Sequence, residues 1–185
     1  MNETKATGRT VPSPTKATLS ELLQRAEAGE EVVISKAGKP VATFGQTAKS
    51  PRTFLDTSVL VYAEDMDYPI KQRIAKELIY EHLRSKTGVV SLQVLQEFFV
   101  NVTRKLKVDV ETARFKVEFH SRFHVAEPSV ADILAAIDLH RLHGYSYWDS
   151  LVLRMAKQTG CRVLLTEDMQ HGQEFDGMRI INPFL

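Results

Sequence analysis

The rhythm of hydrophobic and polar positions changes near residue 50. Before it, Leu19, Leu22, Leu23 and Ala26 recur at i, i+3, i+4 and i+7, one face of a helix over "TLSELLQRAEAG". Thr18 with Glu21 three residues on reads as a capping box, and Gly29 closes the helix. "EEVVISKAGKPVATF" predicts two short strands around the turn Lys36 to Lys39, where Gly38 supplies positive φ. "RTV" at 9–11 predicts a short strand broken by "PSP", and "GQTAKSPR" has linker composition. After it, strands and helices alternate. "RTFLDT" is a strand, "SVLVYA" opens a helix, "IKQRIAKELIYEHLRS" is helical and "GVVS" is a short strand. "LQVLQEFFVNVTRKL" is helical with Leu95, Phe98, Phe99 and Val102 on its core face. "VETARFKVEFHSRF" is a helix and "HVAEP" a strand. "SVADILAAIDLHRLHG" is a helix expected to face the core through Val130, Ile133, Leu134 and Ile137. "YWDSLVLRMAKQTG" is another, expected to do so through Trp148, Leu151, Val152 and Met155. "CRVLLTED" and "RIINPF" are the last strands. This alternation over about 130 residues predicts a parallel, doubly wound α/β sheet.

Length and composition add limits. A chain of 185 residues has room for one domain with a small appendage, and 43% hydrophobic residues suffice for a sizeable core. The single cysteine, Cys161, excludes an internal disulfide framework and reads as a small core hydrophobe. No apolar run approaches the roughly 18 residues of a membrane span. "MNETKATGRTVPSPTK" has no apolar signal core, so a cytoplasmic protein with no membrane partner is expected. Net charge is +1, split as +2 over residues 1–50 (seven basic, five acidic) and −1 over 51–185 (seventeen and eighteen). Neither part has the basicity of a stand-alone nucleic-acid coat, so any such binding depends on local charge placement.

In a doubly wound sheet, ligands sit beyond the carboxyl ends of the strands. Asp56 ends the first strand of the sheet domain, and Glu167 and Asp168 end "RVLLTED". Asp149 lies in the first turn of its helix with Ser146 as N-cap. Glu97 points away from the core face of its own helix. Taken singly, each acid has an ordinary reading as a helix cap, a solvated face residue or a loop acid. Asp56, Glu97, Asp149 and Asp168 are 41, 52 and 19 residues apart in turn, so no local motif unites them. Gathered at one sheet edge they would repel unless a divalent cation neutralised them, and hard oxygen donors suit Mg²⁺ or Mn²⁺. His140 and His143 stand at zinc-pair spacing but lack a nearby third ligand.

"FLDTSVLVYA", "SLQVLQEFF", "SYWDSLVL" and "LLTEDMQHG" resemble the four acidic motifs of PIN-domain ribonucleases, especially VapC-like toxins, and "GMRIINPF" resembles the last strand of one bacterial subgroup. "TLSELLQRAEAGEEVVISKAGKPVATF" is similar to the DNA-binding, dimerising head of Phd/YefM-type antitoxins. The toxin-wrapping tail of that family does not follow. The implied organisation is an antitoxin-like α+β segment over 1–45, a linker over 46–52 and a PIN-like parallel sheet flanked by helices over 53–185.

The resemblance implies a metal-dependent ribonuclease. Asp56 and Asp149 would be direct metal ligands, and Glu97 and Asp168 further ligands, directly or through water. Thr57, Ser58, Ser146 and Thr166 would support them by hydrogen bonds. By charge alone, Arg104, Lys105 and Lys107 form the tightest basic cluster of the sheet domain, readable as a solvated helix end or as an RNA backbone contact. Tyr147 is placed to stack a base, with Trp148 in the core. The expected cofactor is Mg²⁺ (Mn²⁺ as the alternative). The expected partners are RNA, a second copy of the chain, an antitoxin in trans and, weakly, operator DNA. The competing expectation is a non-catalytic DNA-binding regulator in which the PIN-like domain serves as a dimerisation body.

Overall fold

The computed structural model describes residues 21, 24, 32–36, 39–44 and 51–185. The chain divides into two compact units, Met1–Lys49 and Ser50–Leu185. In the first, Glu21 and Gln24 are helical; the rest of the expected helix, the strand at 9–11 and the linker up to residue 50 lie outside the described residues. β1 (Val32–Lys36) and β2 (Lys39–Phe44) pair antiparallel, with Lys36 opposite Lys39 and a register shift between Ile34 and Ser35.

The second unit runs β3 (Arg52–Leu55), α1 (Thr57–Tyr62), α2 (Pro69–Ser85), β4 (Gly88–Ser91), α3 (Leu92–Arg104), α4 (Val110–His120), β5 (His124–Ala126), α5 (Val130–His143), α6 (Tyr147–Gln158), β6 (Cys161–Leu165), β7 (Glu174–Phe175) and β8 (Met178–Ile181). The six strands lie in the order β5-β4-β3-β6-β8-β7, all parallel except the β7–β8 pair. Apolar strands buried on both faces are what a parallel sheet covered by helices requires. β4 is wholly buried, and in β3 Thr53, Phe54 and Leu55 are. The chain first builds β4 and β5 on one side of β3, then returns to place β6 on the other. The switch point of the sheet therefore falls between β3 and β6, beyond their carboxyl ends.

Polar residues ahead of the apolar runs start the helices. The side chains of Ser91, Asp109, Ser129 and Ser146 each accept a backbone N–H of their helix's first turn. Ser129 and Asp132 complete a reciprocal capping box at α5. Gly88 lets β4 approach α4's end closely, since a Cβ there would sit 2.5 Å from the Phe123 ring.

The structure corrects two expectations about packing. On α5 the apolar set is not the buried set: Val130, Leu134 and Ile137 are 73%, 57% and 40% exposed, while Asp132 and Ala136 are buried. On the inward side, Arg154 of α6 reaches Asp132 at 2.8 Å. Asp132 lies inward with its charge met by Arg154 and its other oxygen bonded by Ser129, and the small Ala136 is the residue buried beside it. On α6, Leu151, Val152 and Met155 enter the core as expected, but Trp148 is 57% exposed. β7 has no apolar alternation to announce it. Its signal is the Asp-Gly turn leading into β8, in which Asp176 and Gly177 both take positive φ (49° and 76°). Among the described residues, no helix is long and apolar enough to cross a membrane.

Candidate active site

The carboxyl ends of β3 and β6 are tied together before any side chain acts. The Asp56 N–H donates to the Leu165 carbonyl at 3.0 Å. Asp56 is the N-cap of α1 and is buried. Its Oδ1 accepts the Thr57 N–H at 2.7 Å, and its Oδ2 accepts the Thr166 hydroxyl at 2.6 Å. Thr166 Oγ1 in turn accepts the Asp168 N–H at 3.1 Å, linking the first acid to the last. Thr57 Oγ1 donates to Glu97 Oε2 at 2.7 Å, and Ser58 Oγ accepts the Glu167 N–H at 3.2 Å. The paired hydroxyls behind Asp56 thus serve two different acidic segments.

Glu97 reaches this edge because β4 runs straight into α3, placing the residue a turn and a half along the helix. Its other oxygen accepts Gln93 Nε2 at 2.8 Å, so both are held. Asp149 sits in the first turn of α6, which runs back towards the start of β6 and so opens at the sheet's carboxyl edge. Ser146 Oγ donates to Asp149 Oδ2 at 2.7 Å while accepting the Asp149 N–H at 3.1 Å.

Electrostatics shows which acids meet. Burial pushes the Asp56 carboxyl up to about 7, against the hydrogen bonds of Thr166 and Thr57 and with the added negative charge of Asp168 and Glu97. Partial desolvation, then Asp149, Glu167 and Glu97, hold Asp168 above the usual carboxylate range, with Lys105 opposing. Asp168 is therefore the hub of the four. Among the described residues, no three His, Cys, Asp or Glu side chains stand arranged to hold a metal ion.

A cleft of about 480 Å³ opens over this edge, lined by Thr57, Ser58, Glu97, Asp168, Asn101 and Lys105 with Tyr62, Tyr68 and others. Of the basic cluster, Lys105 lines the cleft; Arg104 and Lys107 are exposed but not among its lining residues. Tyr147 is half-buried against the core, its ring edge-on to Trp148 at 5.1 Å. A separate cavity of about 370 Å³ between α2 and α4 contains none of the four acids, so chemistry, not enclosure, distinguishes the site.

Two partners of the site escape a reading of the sequence. Lys71 binds Glu167 at 2.6 Å and Tyr62 Oη at 2.9 Å, lying over the Tyr62 ring and beside Phe184. Glu167 is thereby held by a cation while its neighbour Asp168 is left to the cleft. Nothing in the chain announces a contact across 96 residues. Gln93 is four residues before Glu97, and that i, i+4 spacing was a usable signal.

The PIN domain family model matches residues 53–173, and the chain belongs to that family. No curated protein matches the chain. Among solved structures, it is similar to the sarcin-ricin loop cleaving toxin VapC20 of Mycobacterium tuberculosis (15% identity, TM-score 0.50, covering 63% of this chain and 89% of that one). A toxin–antitoxin complex from Klebsiella pneumoniae matches at 17% identity and TM-score 0.51, over 71% of this chain and 97% of that one. DNA-bound VapBC from Salmonella typhimurium matches at 20% identity and TM-score 0.50, over the same 71% and 97%. At these identities the likeness is one of fold: a mostly parallel six-stranded sheet flanked by helices.

Proposed function

We propose that this chain is a Mg²⁺-dependent endoribonuclease of the toxin–antitoxin type, with Mn²⁺ as the alternative ion. The observation that carries this reading is the hydrogen-bonded chain at the switch point of a PIN fold, in which Thr166 joins Asp56 to the Asp168 segment and Thr57, bonded to Asp56, holds Glu97. The donors suit a hard divalent cation in kind: all are oxygens, and the raised Asp56 and Asp168 carboxyls have a charge conflict that such a cation relieves. Asp56 and Asp149 would hold it directly, with Glu97 and Asp168 as further ligands. Bound there, the ion supplies water activation and offsets phosphate charge.

The chain's own groups do the positioning. Thr166 and the Thr57 N–H fix Asp56, Thr57 Oγ1 and Gln93 fix Glu97, and Ser146 fixes Asp149. Lys105 meets the RNA backbone at the cleft, with Arg104 and Lys107 along the same path and Tyr147 near the α6 entrance. Cleavage of total RNA is expected to stop with EDTA and to return with Mg²⁺ or Mn²⁺ but not Zn²⁺. Undiminished cleavage in chelator after exhaustive dialysis would remove the metal mechanism.

An antitoxin in trans fits this reading, since two of the similar folds come from toxin–antitoxin assemblies. Residues 1–45 serve in this proposal as a dimerising, weakly DNA-binding head that does not inhibit the nuclease. The full chain is then expected to be dimeric and no less active than residues 51–185 alone, compared by sedimentation and RNA cleavage. A shortened protein that cleaves much faster would make the head an inhibitor instead.

A further inference from the structure

A second hollow, about 430 Å³, adjoins the carboxylate cleft and is lined by Gln93, Gln96, Glu97, Val100, Asn101 and Trp148. It shares Glu97 and Asn101 with the acidic cleft, so the two form neighbouring compartments of one surface. Three of its six lining groups are carboxamides, which both donate and accept hydrogen bonds. The fourth polar group, Glu97, belongs to the acid cluster. Trp148 offers an exposed ring at the rim, against the pattern of its helix.

Gln93 is 6% exposed, and its Oε1 is buried with no hydrogen-bond partner among the described residues. Chemistry assigns its orientation: Glu97 accepts the bond at 2.8 Å, so the amide nitrogen must face the carboxylate and the oxygen must face elsewhere. A buried acceptor left unpaired costs free energy that a ligand's N–H recovers. Each RNA base carries an N–H donor on its Watson–Crick edge, and in a duplex that donor is already used.

Resting on the nuclease reading above, we infer that this hollow is a base-binding subsite. In it an unpaired nucleobase next to the scissile phosphate stacks on Trp148 and is hydrogen-bonded by Gln93, Gln96 and Asn101. A base must leave its pair to enter the hollow, so the same sequence held in a duplex occupies it poorly. Trp148 is a specificity-determining residue, and Gln93 acts twice, positioning Glu97 through its nitrogen and meeting the base through its oxygen.

Trp148 is the chain's sole tryptophan, so its fluorescence reports this site alone. The full chain in EDTA, titrated with short single-stranded RNA oligonucleotides, is expected to show saturable quenching. The same sequences as duplexes are expected to need at least several-fold more RNA. Trp148→Ala should weaken single-strand binding, read by anisotropy of labelled RNA, about tenfold, the size of one lost base–aromatic stack, and Trp148→Phe should recover part of it. Gln96→Ala should shift the cleavage-site pattern in Mg²⁺ while hydrolysis of bis(p-nitrophenyl) phosphate, which has no base, stays as in the wild type. Absence of quenching, equal affinity for duplex, or an unchanged pattern in both variants would overturn the subsite. If RNA quenches Trp148 but neither RNA nor the phosphodiester is hydrolysed, the nuclease reading fails while base binding stands. If both are hydrolysed without quenching, the nuclease stands and the subsite fails.

Discussion

Asp56→Asn is expected to lower RNA cleavage by roughly 10³-fold or more, the scale seen when one member of an interdependent catalytic group is removed. The fold should survive it. Asn keeps the volume of Asp56, still accepts the Thr57 N–H, and can donate its amide to Thr166 Oγ1, which accepts as readily as it donates. What disappears is the charge. With Asp168 and Glu97 pressing on Asp56, that loss relieves the metal-free protein and, under the proposed mechanism, would deprive the cation of its most buried ligand. At neutral pH the metal-free variant should be more stable than the wild type, by about 4 kcal/mol at most. Asp149→Asn should lose activity in the same direction. Cleavage rates paired with thermal unfolding of each variant make the measurement. Full activity in a folded Asp56→Asn protein would take this residue out of the mechanism.

The second large effect concerns pH, where two buried groups oppose each other in the metal-free protein. Asp56 is pushed from 3.8 up to about 7, mainly by burial. Between those values the unfolded chain has released a proton that the folded chain keeps, so stability falls as pH rises, by about 4 kcal/mol at most. His120 is 2% exposed, ringed by Phe98, Phe119 and Phe123, and neither ring nitrogen has a partner among the described residues. Burial, with some help from Lys116, lowers it from 6.5 to about 4. Between those values the unfolded chain holds a proton that the folded chain lacks, so stability falls as pH drops, by about 3 kcal/mol at most.

Over pH 4–6.5 the Asp56 and His120 contributions have opposite sign and largely cancel each other. Each variant should expose the other group. Asp56→Asn should become more stable as pH rises through that window. His120→Phe, which suits the surrounding rings, should become less stable as pH rises towards 7. Denaturant unfolding without metal at several pH values tests this, and variant curves parallel to the wild type would refute it. If Asp56 holds the cation as proposed, saturating Mg²⁺ should also abolish the Asp56 slope, because the cation would replace the proton.

The sequence by itself determined the elements, the two-residue β7 excepted, and the acids at the ends of its strands and helices. Parallel strands buried on both faces need continuous apolar runs such as "FL" in β3 and "GVVS" in β4, and these are visible without coordinates. Helix starts were legible because capping is local: Ser91, Ser129 and Ser146 each satisfy N–H groups within three residues. For the same reason the places of Asp56 and Asp149, one residue after a strand and in a first helical turn, could be read from the chain. The tertiary structure alone decided which helix face would be covered. Apolar periodicity marks a stripe on α5 and α6, but α5 packs with Asp132 inward against Arg154 and leaves Val130 and Leu134 outside, and Trp148 stands at the rim of a hollow. It also decided which carboxylates share charge. Lys71 holds Glu167, and Thr166, two residues before Asp168 in the chain, binds Asp56, both through contacts between residues about a hundred positions apart. Such contacts follow from the order in which strands are laid into the sheet, and no local spacing encodes that order.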